Sequence, residues 1–182
     1  MLENILIPFV TVGLAELGDK TQLTILFLSS NTKNRLSLLL GVLLAFILVD
    51  GAAILVGGWI VNFISRNLVK ILAGSIFIIF GVLILISKRE KIFKAKLENP
   101  FYFGFISIFL SEWGDKTQVA SALFAARYNW VLVFISIIMA LGLISTLTIY
   151  LGKFLFKKLK GNTLKKASGI VFIVIGVTFF LF

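Results

Sequence analysis

Residues 16–22 read ELGDKTQ and residues 112–118 read EWGDKTQ, so one seven-residue motif occurs twice with six identical positions. A second pair of segments, GSIFIIFGV at 74–82 and GIVFIVIGV at 169–177, shares five of nine positions. The two pairs are offset by 96 and 95 residues, and a single-residue length change reconciles these offsets. The sequence therefore predicts that the chain consists of two copies of one unit.

The chain around the motifs is strongly apolar. Of its 182 residues 59% are hydrophobic and only 14% are charged, and the mean hydropathy is +1.08; globular chains carry about 25% charged residues. A membrane-crossing helix needs about 20 mostly apolar residues, about twice the length of a barrel strand. We therefore predict an all-α integral membrane protein with six transmembrane helices. The six predicted spans are residues 5–30, 36–63, 69–87, 101–126, 131–156 and 164–182.

The spans divide equally between the two copies. Residues 1–87 form the first three-helix repeat, residues 100–182 form the second, and the basic stretch 88–99 joins them. Because three is an odd number, the second repeat enters the membrane from the opposite side. Such inverted-topology repeats are used by many secondary transporters to build a site near the membrane midplane.

The basic residues predict the orientation. Thirteen of the eighteen Lys and Arg residues lie in the first, third and fifth loops or at the span ends beside them, and three lie on the other face. Positive residues favour the cytoplasmic side, so we expect these loops in the cytoplasm and both termini outside. The net charge of +10 is explained by this topology, so we expect membrane lipid and no nucleic acid as a partner.

The absence of Cys and His excludes disulfides, thiolate chemistry, zinc fingers and imidazole proton shuttles. Five of the eight acidic residues nevertheless lie within the apolar spans, where each charge costs about 2.5–3.5 kcal/mol. Glu16 and Glu112 are each eleven residues into their spans, or about 16 Å, which is near the midplane. The five embedded acids are Glu16, Asp19, Asp50, Glu112 and Asp115.

The motif spacing indicates a hard metal ion. Residues i and i+3 share a helix face, so Glu16, Asp19 and Gln22 are predicted to form one stripe. Glu112, Asp115 and Gln118 repeat this stripe. Facing each other, the stripes would offer an all-oxygen anionic site suited to Ca²⁺, Mn²⁺ or Mg²⁺. Further groups near this site are Thr21, Thr117, Ser111 and the lysines Lys20 and Lys116.

Several features of the motifs leave alternatives open. Lys20 and Lys116 stand at i+4 from Glu16 and Glu112, so a structural salt-bridge network is one alternative. Gly18 and Gly114 either loosen the helices or allow close packing. Outside the motifs, Gly74/Gly81 and Gly169/Gly176 predict close helix packing.

Asp50 has no acidic counterpart in the second repeat, where Ser145 occupies the equivalent position. It could be an auxiliary ligand, a proton carrier or a partner for Lys20 or Lys116.

The doubled E-x-G-D-K-T motif, at Glu16–Thr21 and Glu112–Thr117, resembles that of a family of six-helix cation/proton exchangers. The family includes the bacterial manganese exporter MneA and the Golgi manganese/calcium transporters. The resemblance implies export of Mn²⁺ or Ca²⁺ in exchange for protons, without a prosthetic group. It also implies that Glu16, Asp19, Glu112 and Asp115 are the metal ligands. The chain lacks the N-terminal extension of eukaryotic members, so we expect a prokaryotic plasma membrane.

Two other functions compete with this interpretation. A passive divalent-cation channel would also place carboxylates in the membrane, but channels usually close a pore by oligomeric symmetry. An intramembrane aspartyl protease would use G-x-G-D, whereas Glu16 and Glu112 stand where its first Gly should be, and a lysine beside each Asp opposes proton sharing. We therefore expect a transporter and not an enzyme. One chain contains both motifs, and the sequence does not determine the oligomeric state.

Overall fold

The computed structural model describes residues 2–17, 19–60, 62–86, 99–158 and 161–181. Side chains are described in these ranges except at 66, 152–158 and 161–165. Gly18 and residues 88–98 of the predicted basic loop lie outside the described residues.

In the described ranges the regular elements are eight helices. Three stretches are long and apolar enough to cross a membrane, namely Arg35–Ile60, Asn67–Ile86 and Trp130–Leu151. Large apolar side chains such as Leu44, Leu55 and Ile79 are exposed on the outer surface of the bundle, as expected for contact with lipid. The helices are α1 (Glu3–Glu16), α2 (Lys20–Ser30), α3 (Arg35–Ile60), α4 (Arg66–Ile86), α5 (Pro100–Glu112), α6 (Lys116–Arg127), α7 (Trp130–Lys158) and α8 (Gly161–Leu181).

The predicted spans 5–30 and 101–126 are not continuous helices, and this part of the prediction is wrong. The first is divided into α1 and α2, and the second into α5 and α6, each at its motif. Leu17 and Trp113 leave the helical conformation with ψ angles of 111° and 113°. Gly114 then has a φ of +81°, a left-handed value that residues other than glycine rarely adopt. The motif sequence therefore ends one helix and starts the next.

Two helices of opposite halves, α4 and α8, pack closely through glycines. A Cβ atom at Gly74 would lie 2.9 Å from the Gly176 carbonyl oxygen, and one at Gly81 would lie 2.7 Å from that of Gly169. The order of these contacts makes the two helices antiparallel. The close packing predicted at these four glycines is confirmed.

The remaining long helices cross between the halves. Helix α3 packs against α5 and α6, while α7 packs against α1 and α2. Ser136 of α7 donates a 2.6 Å hydrogen bond to the Ile5 carbonyl oxygen, and a Cβ at Gly41 of α3 would meet the Phe101 carbonyl. Each motif is consequently held by a long helix of the other half.

Candidate metal and proton site

The helix breaks place the motif carboxylates at neighbouring helix ends. Glu16 and Glu112 are the last residues of α1 and α5, and Asp19 and Asp115 are the N-cap residues of α2 and α6. Neither aspartate side chain caps its own helix. The predicted i,i+3 stripes are therefore wrong as helical faces, because Leu17 and Trp113, directly after the two glutamates, leave the helical conformation.

The two lysines join the motifs across the repeat. Lys20 Nζ lies 3.0 Å from Asp115 Oδ1, and Lys116 Nζ contacts Asp19 and lies 3.2 Å from Asp115 Oδ2. The predicted i,i+4 geometry within each motif is not available, because no continuous helix connects Glu16 to Lys20 or Glu112 to Lys116. The ammonium groups instead hold the aspartates of opposite halves together.

Glu16 is the most unusual carboxylate of the described part of the chain. Its side chain is 0% exposed, and both carboxylate oxygens are buried without a hydrogen-bond partner among the described residues. One oxygen each from Glu16, Asp19 and Asp115 lies within 4.8 Å of the others. This carboxylate cluster combines residues from both motifs in an arrangement that could hold a hard cation.

Glu112 is also buried, and it is held by hydroxyls of both motifs. Its Oε1 accepts a hydrogen bond from Thr21, and its Oε2 accepts one of 3.2 Å from Thr117. The structure thus brings the two motifs together through this carboxylate as well, although Glu112 is not a member of the three-residue carboxylate cluster.

The amide oxygens of the two glutamines are occupied by other donors. Gln118 Oε1 accepts a 2.6 Å hydrogen bond from the Gly114 backbone N–H, and its Nε2 donates to the Val49 carbonyl at 3.3 Å. Gln22 Oε1 accepts a 2.6 Å hydrogen bond from Thr148. The structure therefore shows Gln118 bracing the second helix break.

The other predicted residues lie outside the carboxylate cluster. Ser111 donates to the Ile108 carbonyl of its own helix at 3.2 Å. Asp50 of α3 is 1% exposed, and its Oδ1 contacts Ser121 of α6 at 2.7 Å. Sequence analysis did not identify Ser121 or Thr148, although Ser121 could have been found because it is one turn after Thr117 on α6.

Cavities of unequal size lie at opposite ends of α3. The larger, of about 600 Å³, lies where α3 and α6 end and is lined by Gly58, Ala125, Arg127 and Trp130 among others. The smaller, of about 40 Å³, lies where α2 ends and α3 begins and includes Ser29 and Arg35. We call the larger cavity the vestibule.

Comparison with known proteins assigns these features to a family. The family model described as "Divalent cation/proton antiporter GDT1" matches residues 4–92 and 100–181. The chain is 28% identical over 176 residues to a Vibrio cholerae protein named "Putative manganese exporter", covering 94% of this chain and 87% of that one. It is 25% identical over 209 residues to GDT1-like protein 5 of rice, covering 92% and 90% of the two chains.

A third relative is the GDT1-like protein C186.05c of Schizosaccharomyces pombe, with 22% identity over 221 residues, 90% of this chain and 84% of the relative. No solved structure matches the chain. The family model covers both repeats and both motifs, and it describes transporters and not enzymes. The chain belongs to the GDT1 family of divalent cation/proton antiporters.

Proposed function

We propose that this chain exports a divalent cation, Mn²⁺ or Ca²⁺, in exchange for protons, and that the two compete for the motif carboxylates. The proposed metal ligands are Glu16, Asp19, Glu112 and Asp115. Membership of an antiporter family supports the exchange, and the name of the Vibrio cholerae relative supports manganese.

The observation that carries the proposal is the environment of Glu16. A fully buried carboxylate with two unpartnered oxygens is costly inside a protein, and this cost is removed when a cation or a proton binds. The Asp19 and Asp115 oxygens within 4.8 Å complete an all-oxygen environment. Such an environment favours hard divalent cations over soft ones.

Charge balance supports one divalent cation per cycle. With its four carboxylates ionised and its two lysines protonated, the pair of motifs carries two net negative charges. One divalent cation or two protons neutralise this charge. In a medium of low dielectric constant the four carboxylates would not all stay ionised without metal, so cation release and proton uptake are expected to be linked.

We further propose that the eight helices form six spans in two inverted three-helix repeats, with both termini outside and the basic loops in the cytoplasm. The distribution of Lys and Arg supports this orientation. The antiparallel packing of α4 and α8 supports the inversion, since these helices are equivalents in the two halves. Similarity to a Vibrio cholerae protein favours a bacterial plasma membrane.

The test is uptake of radioactive Mn²⁺ and Ca²⁺ by proteoliposomes under an imposed pH gradient. An antiporter accumulates the cation against its gradient when protons leave the vesicle, and it collapses the pH gradient when cation is added. A passive channel would equilibrate the cation without accumulating it and without proton movement, and this result would overturn the proposal.

A further inference from the structure

Asp50 is a buried acid that the proposed cation site does not use. It lies in the middle of α3, is 1% exposed, and has one oxygen, Oδ2, without a hydrogen-bond partner among the described residues. Ser145 occupies the equivalent position in the second repeat, so only the first repeat has an acidic residue there.

Ser121 has one hydroxyl hydrogen and two oxygen neighbours, and this bears on the protonation of Asp50. Ser121 Oγ lies 2.7 Å from Asp50 Oδ1 and 2.8 Å from the Thr117 carbonyl oxygen. A hydroxyl has one hydrogen to donate, and a carbonyl oxygen can only accept. If Ser121 donates to Thr117, a hydrogen on the Asp50 carboxyl satisfies the second contact. The pair is therefore well arranged for an Asp50 that carries a proton.

The location of this pair connects the cation site with the vestibule. Towards the cation site, Gln118 Nε2 donates to the Val49 carbonyl beside Asp50, and the same glutamine braces the second helix break. Towards the vestibule, Ala125 is four residues after Ser121, about 6 Å along α6, and it lines the cavity. Asp50 and Ser121 thus lie about one helical turn from the vestibule.

The helices packed against α3 carry charged residues on both sides of Asp50. On the side of the cation site, α5 contributes Glu112 and α6 begins with Asp115 and Lys116. On the vestibule side, α6 ends with Arg127. Helix α2 carries Lys20, and α7 has no Asp, Glu, Lys or Arg between residues 130 and 151. A proton on Asp50 therefore lies beside the negatively charged end of the second motif, and an opposing lysine is present in that motif.

We infer that Asp50 is a proton-binding site separate from the divalent-cation ligands, located between them and the vestibule. It receives a proton through the vestibule and passes it to the motif carboxylates as the cation leaves. The inference rests on the proposed antiport function, and it assigns the outside proton entry to the side where α3 and α6 end.

The test compares two activities of Asp50→Asn in proteoliposomes. Net Mn²⁺ transport driven by a pH gradient requires proton binding, whereas exchange of radioactive for unlabelled Mn²⁺ at equal pH on both sides does not. We expect net transport to fall by at least about tenfold and Mn²⁺ exchange to stay within about twofold of the wild type. Ser145→Ala, at the equivalent position of the other repeat, should change neither activity.

The outcomes separate this inference from the proposed function. A wild-type protein without proton coupling would refute the antiport itself. A coupled wild type together with an Asp50→Asn variant that transports normally, or that loses Mn²⁺ exchange equally, would overturn the role of Asp50 alone.

If Asp50→Asn does not fold, the variant Ser121→Ala, which removes the hydroxyl next to Asp50, tests the same inference. It should shift the pH dependence of net transport and leave Mn²⁺ exchange intact, and an unchanged pH profile would overturn the inference.

Discussion

Lys116 of the second motif contacts Asp19 of the first, so an ammonium group joins the two halves of the chain at the carboxylate cluster. The same Nζ lies 3.2 Å from Asp115 Oδ2. It therefore bridges two of the carboxylates to which we assign the cation. A bound divalent cation and this ammonium would compete for the same oxygens, which would weaken cation binding and assist cation release.

Replacing Lys116 by Gln should tighten cation binding and slow transport. Without this ammonium, Asp19 and the Oδ2 of Asp115 lose a competing cation, while Lys20 still pairs with Asp115 Oδ1. We therefore expect the Kd for Mn²⁺ to fall and the maximal rate of pH-driven transport to decrease several-fold. Calorimetry and proteoliposome flux measure the two quantities. Lys166→Gln, at an exposed position, is the matched control. Weaker Mn²⁺ binding in Lys116→Gln would contradict competition.

Replacing Glu112 by Gln should abolish both cation flux and cation-driven proton release. The change removes one charge from the site and nearly preserves the side-chain volume. The remaining amide oxygen can accept a hydrogen bond from one of Thr21 and Thr117, and the new NH2 group can donate to the hydroxyl oxygen of the other. Flux and pH are recorded together in vesicles loaded with a pH indicator. Glu3→Gln, an exposed acid of α1, should behave as the wild type. Normal exchange by Glu112→Gln would remove this residue from the site.

Replacing Gly114 by Ala should strain the second helix break. The φ of this position is +81°, and holding alanine in that conformation destabilises the fold by roughly 1–2 kcal/mol. The strain is in the backbone alone, because a Cβ there would meet no described atom within 4 Å. We expect a lower thermal unfolding midpoint in detergent and reduced transport. Gly13→Ala is the control, because its Cβ would be in ordinary contact with Ile144 at 3.5 Å. Equal behaviour of the two variants would show that the left-handed conformation is dispensable.

Replacing Gly81 by Ala should separate α4 from α8. The new Cβ would lie 2.6 Å from Ile173 and 2.7 Å from the Gly169 carbonyl oxygen, so the backbones must move apart. Overpacking of this kind costs about 1–3 kcal/mol, and we expect a lower unfolding midpoint. Gly13→Ala again serves as the control. Full stability of Gly81→Ala would mean that the interface adapts more easily than its geometry indicates.

The orientation can be tested with single cysteines, because the native chain contains none. Cysteines at Glu3 and Asn99 are labelled on intact cells with a membrane-impermeant maleimide. We expect labelling at position 3 and protection at position 99 until the cells are permeabilised. The reverse pattern would mean that the basic loops face outward and that the direction of transport must be reassigned.

The length and apolarity of the spans predicted a helical membrane protein. The repeated motif and the acidic residues within the spans indicated where the site lies. The sequence could not show how the motifs pair. Adjacent residues such as Asp19 and Lys20 point to different partners, and those partners are set by the crossing of α3 and α7 between the halves. The loosening of the helix at Gly114 was one of two alternatives, and its positive φ together with the empty space around it decides in favour of the break.

The unequal cavities border equivalent positions of the two halves. Ser29 and Ser30 border the 40 Å³ depression, and their repeat equivalents Ala125 and Ala126 border the 600 Å³ vestibule. The surroundings of these equivalent positions therefore differ between the two halves. Under the inverted-repeat arrangement proposed above, an exchange of these shapes between the halves would widen the depression and narrow the vestibule, and superposing each half on the other would outline that second conformation.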